Sequence, residues 1–186
     1  MGKLRIYNED GTASGDVISN NDTIRELLAA KGVEFEVWST TAALSPAAEQ
    51  NEVIAAFQQD IDTLNTRYGF KSVDVVALRP DHPDKKMFRE KFLSEHTHAD
   101  FEVRLFVDGS GLFYLHLDDK VYLVFCEKGD LISVPANVTH WFDMGINPDF
   151  KCIRLFTSEE GWLADFTGSD IANHFPDYDT FSGSLA

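Results

Sequence analysis

The chain has 186 residues, 44% of them hydrophobic and 15 of them Phe, which is enough for one packed domain and too apolar for a disordered chain. Its 31 acidic residues against 16 basic ones give a formal charge of -15, which argues against a nucleic-acid backbone or an anionic membrane as partner. A small anionic substrate would then have to be met by local positive charge, either a bound metal or a buried arginine.

In chain order, the opening MGKLRIYNEDG carries no apolar signal core, and no later stretch reaches the length of a membrane span, so a cytoplasmic protein is expected. NNDTIRELLAAKG (20–32) predicts a helix with Asn and Asp caps, an Ile24/Leu27/Leu28 stripe and Gly32 as its stop. SPAAEQNEVIAAFQQDIDTLNTRYG (45–69) predicts a longer one, with Ser45 as N-cap and Pro46 at the first helical position. Ile54, Phe57, Ile61, Leu64 and Tyr68 follow at three- and four-residue steps. SVDVVAL (72–78) reads as a strand, and HPDKKMFREKF (82–92) as a short helix bringing Phe88 and Phe92 to one side.

From residue 96 the texture changes to short β-rich runs: FEVRLFV, GLFYLHL, KVYLVFC, DLISVP, THWFDM and FKCIRLF. Gly-Ser-Gly, Asp-Asp-Lys, Lys-Gly-Asp, Pro-Ala-Asn and Asn-Pro separate them, which predicts an antiparallel sandwich or barrel. The final stretch, 158–181, is too polar and broken for strands and is expected to wrap the outside. The whole reads as one domain over 1–186. A mostly helical flank with short strands runs to residue 93, a barrel core spans 94–157, and a wrapping segment covers 158–186. Cys126 and Cys152 sit in apolar runs and read as buried free thiols of a reducing compartment, with a single disulfide as the alternative.

The chemistry gathers in SEHTHADFEVR (94–104). His96, His98, Glu102 and Arg104 are all even-numbered, so on a continuous strand all four project to one side. A helix would splay His96 and His98 apart. The odd positions Phe101, Val103, Leu105 and Val107 are apolar, as expected if helices cover the barrel's outer face. Two imidazoles and a carboxylate are the ligand set of non-haem iron sites, which keep coordination positions open. His140, opening the strand after Pro135, is the candidate third imidazole, and Phe142 shares its parity. The structural alternatives are a hydrogen-bonded core His140 and an Arg104 that merely neutralises a buried Glu102. His82, His116 and His174 read as structural or solvated.

His96-x-His98, three residues, Glu102, six residues, Gly109 matches the first motif of the cupins from its first histidine on. Gly129, five residues, Pro135, then His140 five further on matches the second. Glu90, Asn137 and Met144 stand where those motifs usually carry glycine, glycine and asparagine. Within the cupins the chain resembles the bacterial acireductone dioxygenases, in HTHADFEVRLFVDGSGLFYL, DLISVPANVTHWFDMG and IRLFTSEEGWLADFTG. It differs in FYLHLDD, where His116 stands in place of an expected arginine.

The resemblance implies a cupin double-stranded β-helix (jelly-roll barrel), mainly β, with the N-terminal helices packed outside. It implies one divalent ion, Fe(II) or Ni(II), on His96, His98, Glu102 and His140. The implied substrates are O2 and the acireductone of methionine salvage, 1,2-dihydroxy-3-keto-5-methylthiopentene. Iron gives 2-keto-4-methylthiobutyrate and formate; nickel gives methylthiopropionate, formate and carbon monoxide. Arg104 would pair with a substrate oxyanion at the metal centre, with no separate base assigned. Phe92, Phe142 and Trp162 would either pack on the methylthio tail or serve as plain core aromatics. A monomer is expected. Another metal-dependent cupin dioxygenase or isomerase, or a non-catalytic small-molecule-binding cupin, are the alternative readings.

Overall fold

The computed structural model describes residues 2–40 and 42–185; Met1, Thr41 and Ala186 lie outside the described residues. Strand β1 (Lys3–Asn8) opens the chain, within the flank read from sequence as mostly helical with short strands. Helix α1 (Asn21–Ala29) starts as expected. The Asn20 side chain accepts the Thr23 N–H at 2.9 Å, and Ile24 and Leu28 are buried. Strand β2 (Glu34–Val37) follows as a short edge.

The long helix expected from Ser45 does not form as one piece. Helix α2 (Gln50–Ala56) begins only after Glu49, whose N–H is met by the Glu52 carboxylate at 2.9 Å in a capping box. Ser45 and Pro46 instead open a turn, in which the Ala48 N–H donates to the Ser45 carbonyl. The physical reason is tertiary. The buried Lys151 ammonium donates to the Ala48 carbonyl at 2.9 Å and the Pro46 carbonyl at 3.4 Å, engaging acceptors that a helix would use. A second break falls at Phe57 (φ -110°, ψ 19°), which separates α2 from α3 (Gln58–Tyr68).

Strand β3 (Ser72–Leu78) and helix α4 (Lys85–Leu93) match the reading from sequence. Then come β4 (His96–Thr97), β5 (Glu102–Leu117), β6 (Lys120–Glu127), β7 (Asp130–Val134), β8 (Thr139–Asp143) and β9 (Phe150–Phe156). The wrapping C-terminal segment includes a two-residue strand, β10 (Asp165–Phe166), which was not expected there. A 3-10 turn at Ile171–His174 and helix α5 (Tyr178–Gly183) complete it.

β5 organises the molecule. Its first half pairs antiparallel with β7 and β9, and its second half with β6 and β8. β2 and β3 extend the first group, on β7 and β9; β1 extends the second through β6, and β4 with β10 through β8. The Gly-Ser-Gly separator read as a turn is instead continuous strand, with a bulge between Phe106 and Asp108. The architecture is therefore the expected cupin-type β fold with helices outside.

Among the described residues the buried apolar side chains form three clusters. One packs Leu112, Tyr114, Leu123 and Trp141 with Phe175 and Phe181 of the C-terminal segment. Val103, Leu105 and Val107 face outward beneath α2 and α3, packed with Val53, Phe57, Ile61 and Leu64. Phe106, Phe113, Phe142, Phe150, Cys126 and Cys152 fill the interior, and both thiols are free.

Candidate metal centre

The continuous strand expected to carry His96 through Arg104 is broken. β4 ends at Thr97, a bend spans residues 99 and 100, and β5 begins at Glu102. Asp100 holds that bend by accepting the Ser158 N–H at 2.7 Å and its hydroxyl at 3.0 Å, and it also bonds Thr157. Convergence is reached through sheet pairing rather than parity alone. His96 on β4 lies opposite His140 on β8, and His140 lies opposite Leu115 on β5.

His96, His98 and His140 are all buried, with one ring nitrogen of each lying within 4.8 Å of the others. Each Nδ1 donates to a backbone carbonyl: His96 to Ser94 at 2.7 Å, His98 to Leu163 at 2.8 Å, His140 to Val138 at 2.8 Å. A carbonyl only accepts, so the proton is fixed on Nδ1 and each Nε2 lone pair is left free. Burial lowers the His96 pKa to about 4, with the His140 ring adding to the effect, and burial also lowers that of His98.

Glu102 Oε2 lies 3.4 Å from His98 Nε2 and 3.6 Å from His140 Nε2. Burial opposes its ionisation, but the Arg104 guanidinium beside it holds the carboxyl well below its usual range. Among the described residues, Glu102 Oε2 and His140 Nε2 are buried with no hydrogen-bond partner. Buried polar atoms left orphaned and facing each other suit a cation between them. Three neutral imidazoles and a carboxylate fit a divalent transition metal.

Arg104 Nε donates to Glu102 Oε1 at 2.5 Å, and its guanidinium lies 4.9 Å from the Phe113 ring centre and 5.1 Å from that of Phe142. Phe92 meets Phe142 edge-on at 6.2 Å. Trp162 is 48% exposed, and among the described residues its ring makes no stacking contact with Phe92 or Phe142. Its neighbour Leu163 is the one that reaches the site, through the carbonyl that orients His98.

Asn137, standing where the motif has glycine, adopts φ +63°, a left-handed conformation that asparagine tolerates, and its N–H donates to the His98 carbonyl at 2.8 Å. His116, standing for the expected arginine, lies between two carboxylates, Glu9 at 2.7 Å and the buried Glu95 at 3.1 Å.

Residues 3–164 match the model of the ARD/ARD' family. The chain belongs to the ARD/ARD' family. Among its curated relatives, the acireductone dioxygenase of Methylococcus capsulatus is 54% identical over 95% of each chain. That of Aquifex aeolicus is 55% identical over 96% of this chain and 97% of its own. A solved acireductone dioxygenase from Bacillus anthracis, with a cadmium ion in its active centre, is 30% identical and superposes with a TM-score of 0.80 over 89% of this chain and 98% of that one.

Reading from sequence missed two contributors to the site in this ARD-family chain. Asp100 and the Leu163 carbonyl act through the folded path of the chain, and spacing alone does not reveal them.

Proposed function

We propose that this chain is an acireductone dioxygenase that holds Fe(II) or Ni(II) on His96, His98, Glu102 and His140. The observation that carries the reading is the convergence of three Nε2 lone pairs, each freed by an Nδ1 bond to a carbonyl, on a partnerless oxygen of an ionised Glu102. A divalent ion bound there supplies Lewis-acid stabilisation and orientation to the enediolate of 1,2-dihydroxy-3-keto-5-methylthiopentene.

The chain's own residues do the rest. Arg104, held by Glu102 and by two phenyl faces, keeps a fixed positive charge for a substrate oxyanion. Phe92 and Phe142 exclude water on that side. No separate base is assigned, because an acireductone arriving ionised needs none. Cleavage with O2 gives 2-keto-4-methylthiobutyrate and formate from the iron form, and methylthiopropionate, formate and carbon monoxide from the nickel form.

The strong negative charge supports a monomer without nucleic-acid or membrane partners. Among the described residues no helix is long and apolar enough to cross a membrane. Two buried free thiols support a reducing cytoplasmic setting.

The test is metal analysis with O2 uptake and product identification on separately loaded iron and nickel samples. Stoichiometric metal with the two product sets is expected. Bound metal without O2 uptake would move the chain to another cupin function, and absence of metal binding would remove the site.

A further inference from the structure

The strand that carries His96 is too short to place it alone. β4 has two residues, paired with β8 at His96↔His140 and with the equally short β10 at Asp165↔Thr97 and Phe166↔His96. So short a strand has few ladder bonds, and its position depends on side chains that hold it from outside the ladder.

Glu95, directly before β4, is such a side chain. It is buried, its carbonyl accepts the Thr167 N–H at 3.1 Å, and its carboxylate accepts the Thr167 hydroxyl at 2.7 Å. The other carboxylate oxygen faces Nδ1 of His116, near the end of β5, at 3.1 Å. His116 Nε2 in turn faces the Glu9 carboxylate, in the turn after β1, at 2.7 Å. The Glu9 carbonyl accepts from His174 Nδ1 at 3.3 Å. In the same turn Gly11 (φ +82°) lies so close to the C-terminal segment that a Cβ would fall 2.2 Å from the His174 carbonyl oxygen. One imidazole thus joins β5, β4 and the N-terminal turn, and through them the C-terminal segment.

A carboxylate accepts and does not donate, so the ring serves both only with a proton on each nitrogen, as a cation between two anions. A buried carboxylate such as Glu95 is stable beside such a partner and costly without it. Successive residues of a strand leave opposite faces, so Glu95 stands behind the face that carries His96. His116, opposite Thr139, likewise stands behind the face that carries His140.

We propose that His116 is a positioning residue of the metal centre: by engaging Glu95 and Glu9 together it fixes β4, and with it the His96 ring, against the end of β5. The proposal rests on the reading of the metal centre given above and adds what holds that centre from behind. Loss of such an outer partner weakens metal binding by about tenfold or more.

The experiment loads metal-free wild type, His116→Leu, His116→Arg and Glu9→Gln with Co(II). It records the dissociation constant by chelator competition, the visible spectrum, and amide hydrogen exchange at residues 95–97 and 165–167. His116→Leu is expected to weaken Co(II) binding about tenfold, alter the spectrum and speed that exchange. His116→Arg is expected to restore all three, since a guanidinium has donors for both carboxylates. Glu9→Gln, on the surface, is expected to move them in the same direction by less, and it carries the test alone if His116→Leu does not fold. Variants that melt lower yet keep wild-type Co(II) affinity and spectrum would overturn the positioning role and leave the metal centre intact. A loss in His116→Leu that His116→Arg does not relieve would overturn the two-carboxylate clamp. A wild type that binds no Co(II) would overturn the metal centre and the proposal with it.

Discussion

Glu102 is enclosed on all sides, and a buried carboxylate is stable only while positive charge stands beside it. In the metal-free protein that charge is Arg104, bonded through Nε to Oε1, while Oε2 faces the imidazoles unpartnered. Removing one member of a buried pair strands the other, at a cost of about 3–5 kcal/mol. Arg104→Ala is therefore expected to lose stability of that order in the chelated protein and markedly less when a divalent ion is bound, because the ion then compensates Glu102. Chemical denaturation with and without metal measures both values. An equal loss in the two states would show that Arg104 acts through packing on Phe113 and Phe142 alone. The two roles that the sequence left open for Arg104, neutralising Glu102 and awaiting an anion, are thus compatible at the level of single atoms.

β5 succeeds as one long strand because its middle tolerates close neighbours. At Gly109 (φ +64°) an added Cβ would fall 1.8 Å from the Asp149 carbonyl oxygen. At Gly111 it would fall 2.2 Å from the Phe142 ring, the ring beneath the Arg104 guanidinium. Gly111→Ala is expected to push Phe142 aside, costing about 1–3 kcal/mol by overpacking and lowering kcat/KM because Arg104 loses its platform. Thermal melts and steady-state kinetics check it; full activity in a destabilised protein would separate the ring from the chemistry. The same stretch shows what the sequence could and could not reveal. Gly-Ser-Gly between apolar runs reads as a turn, since glycine's need for space looks identical in a turn and under a packed ring. Alternation correctly assigned Val103, Leu105 and Val107 to the helix-covered face, because that signal is local and of period two. Ser45-Pro46 misled for the opposite reason: a distant Lys151 takes the carbonyls that local propensity offered to a helix.

Across the whole molecule, the proposed metal ligands join parts of the chain that are distant in sequence and are linked only by the spacing of the two motifs. His96 and His98 are separated from His140 by most of the barrel, and the C-terminal segment closes over them. Phe166 pairs with His96 across β10 and β4, their rings lie 5.7 Å apart, and the Leu163 carbonyl fixes the His98 tautomer. Thr167 also ties that segment to Glu95, donating its N–H to the Glu95 carbonyl at 3.1 Å and its hydroxyl to the carboxylate at 2.7 Å. Trp162, Leu163 and Phe166 are each about half exposed, at 48%, 50% and 47%. An ion shared by the three imidazoles and Glu102 would stabilise the native state according to its affinity and free concentration. It would also limit rotation of His96 and His98, and hence opening of the strand that leans on them. Chelation is therefore expected to lower the melting temperature and to speed amide hydrogen exchange at residues 95–98 and 163–167. Exchange in α2 and α3, which pack on the far side of β5, should follow only the global change. If exchange at 163–167 were the same with and without metal, the C-terminal segment would be held by its own packing and would owe nothing to the metal centre.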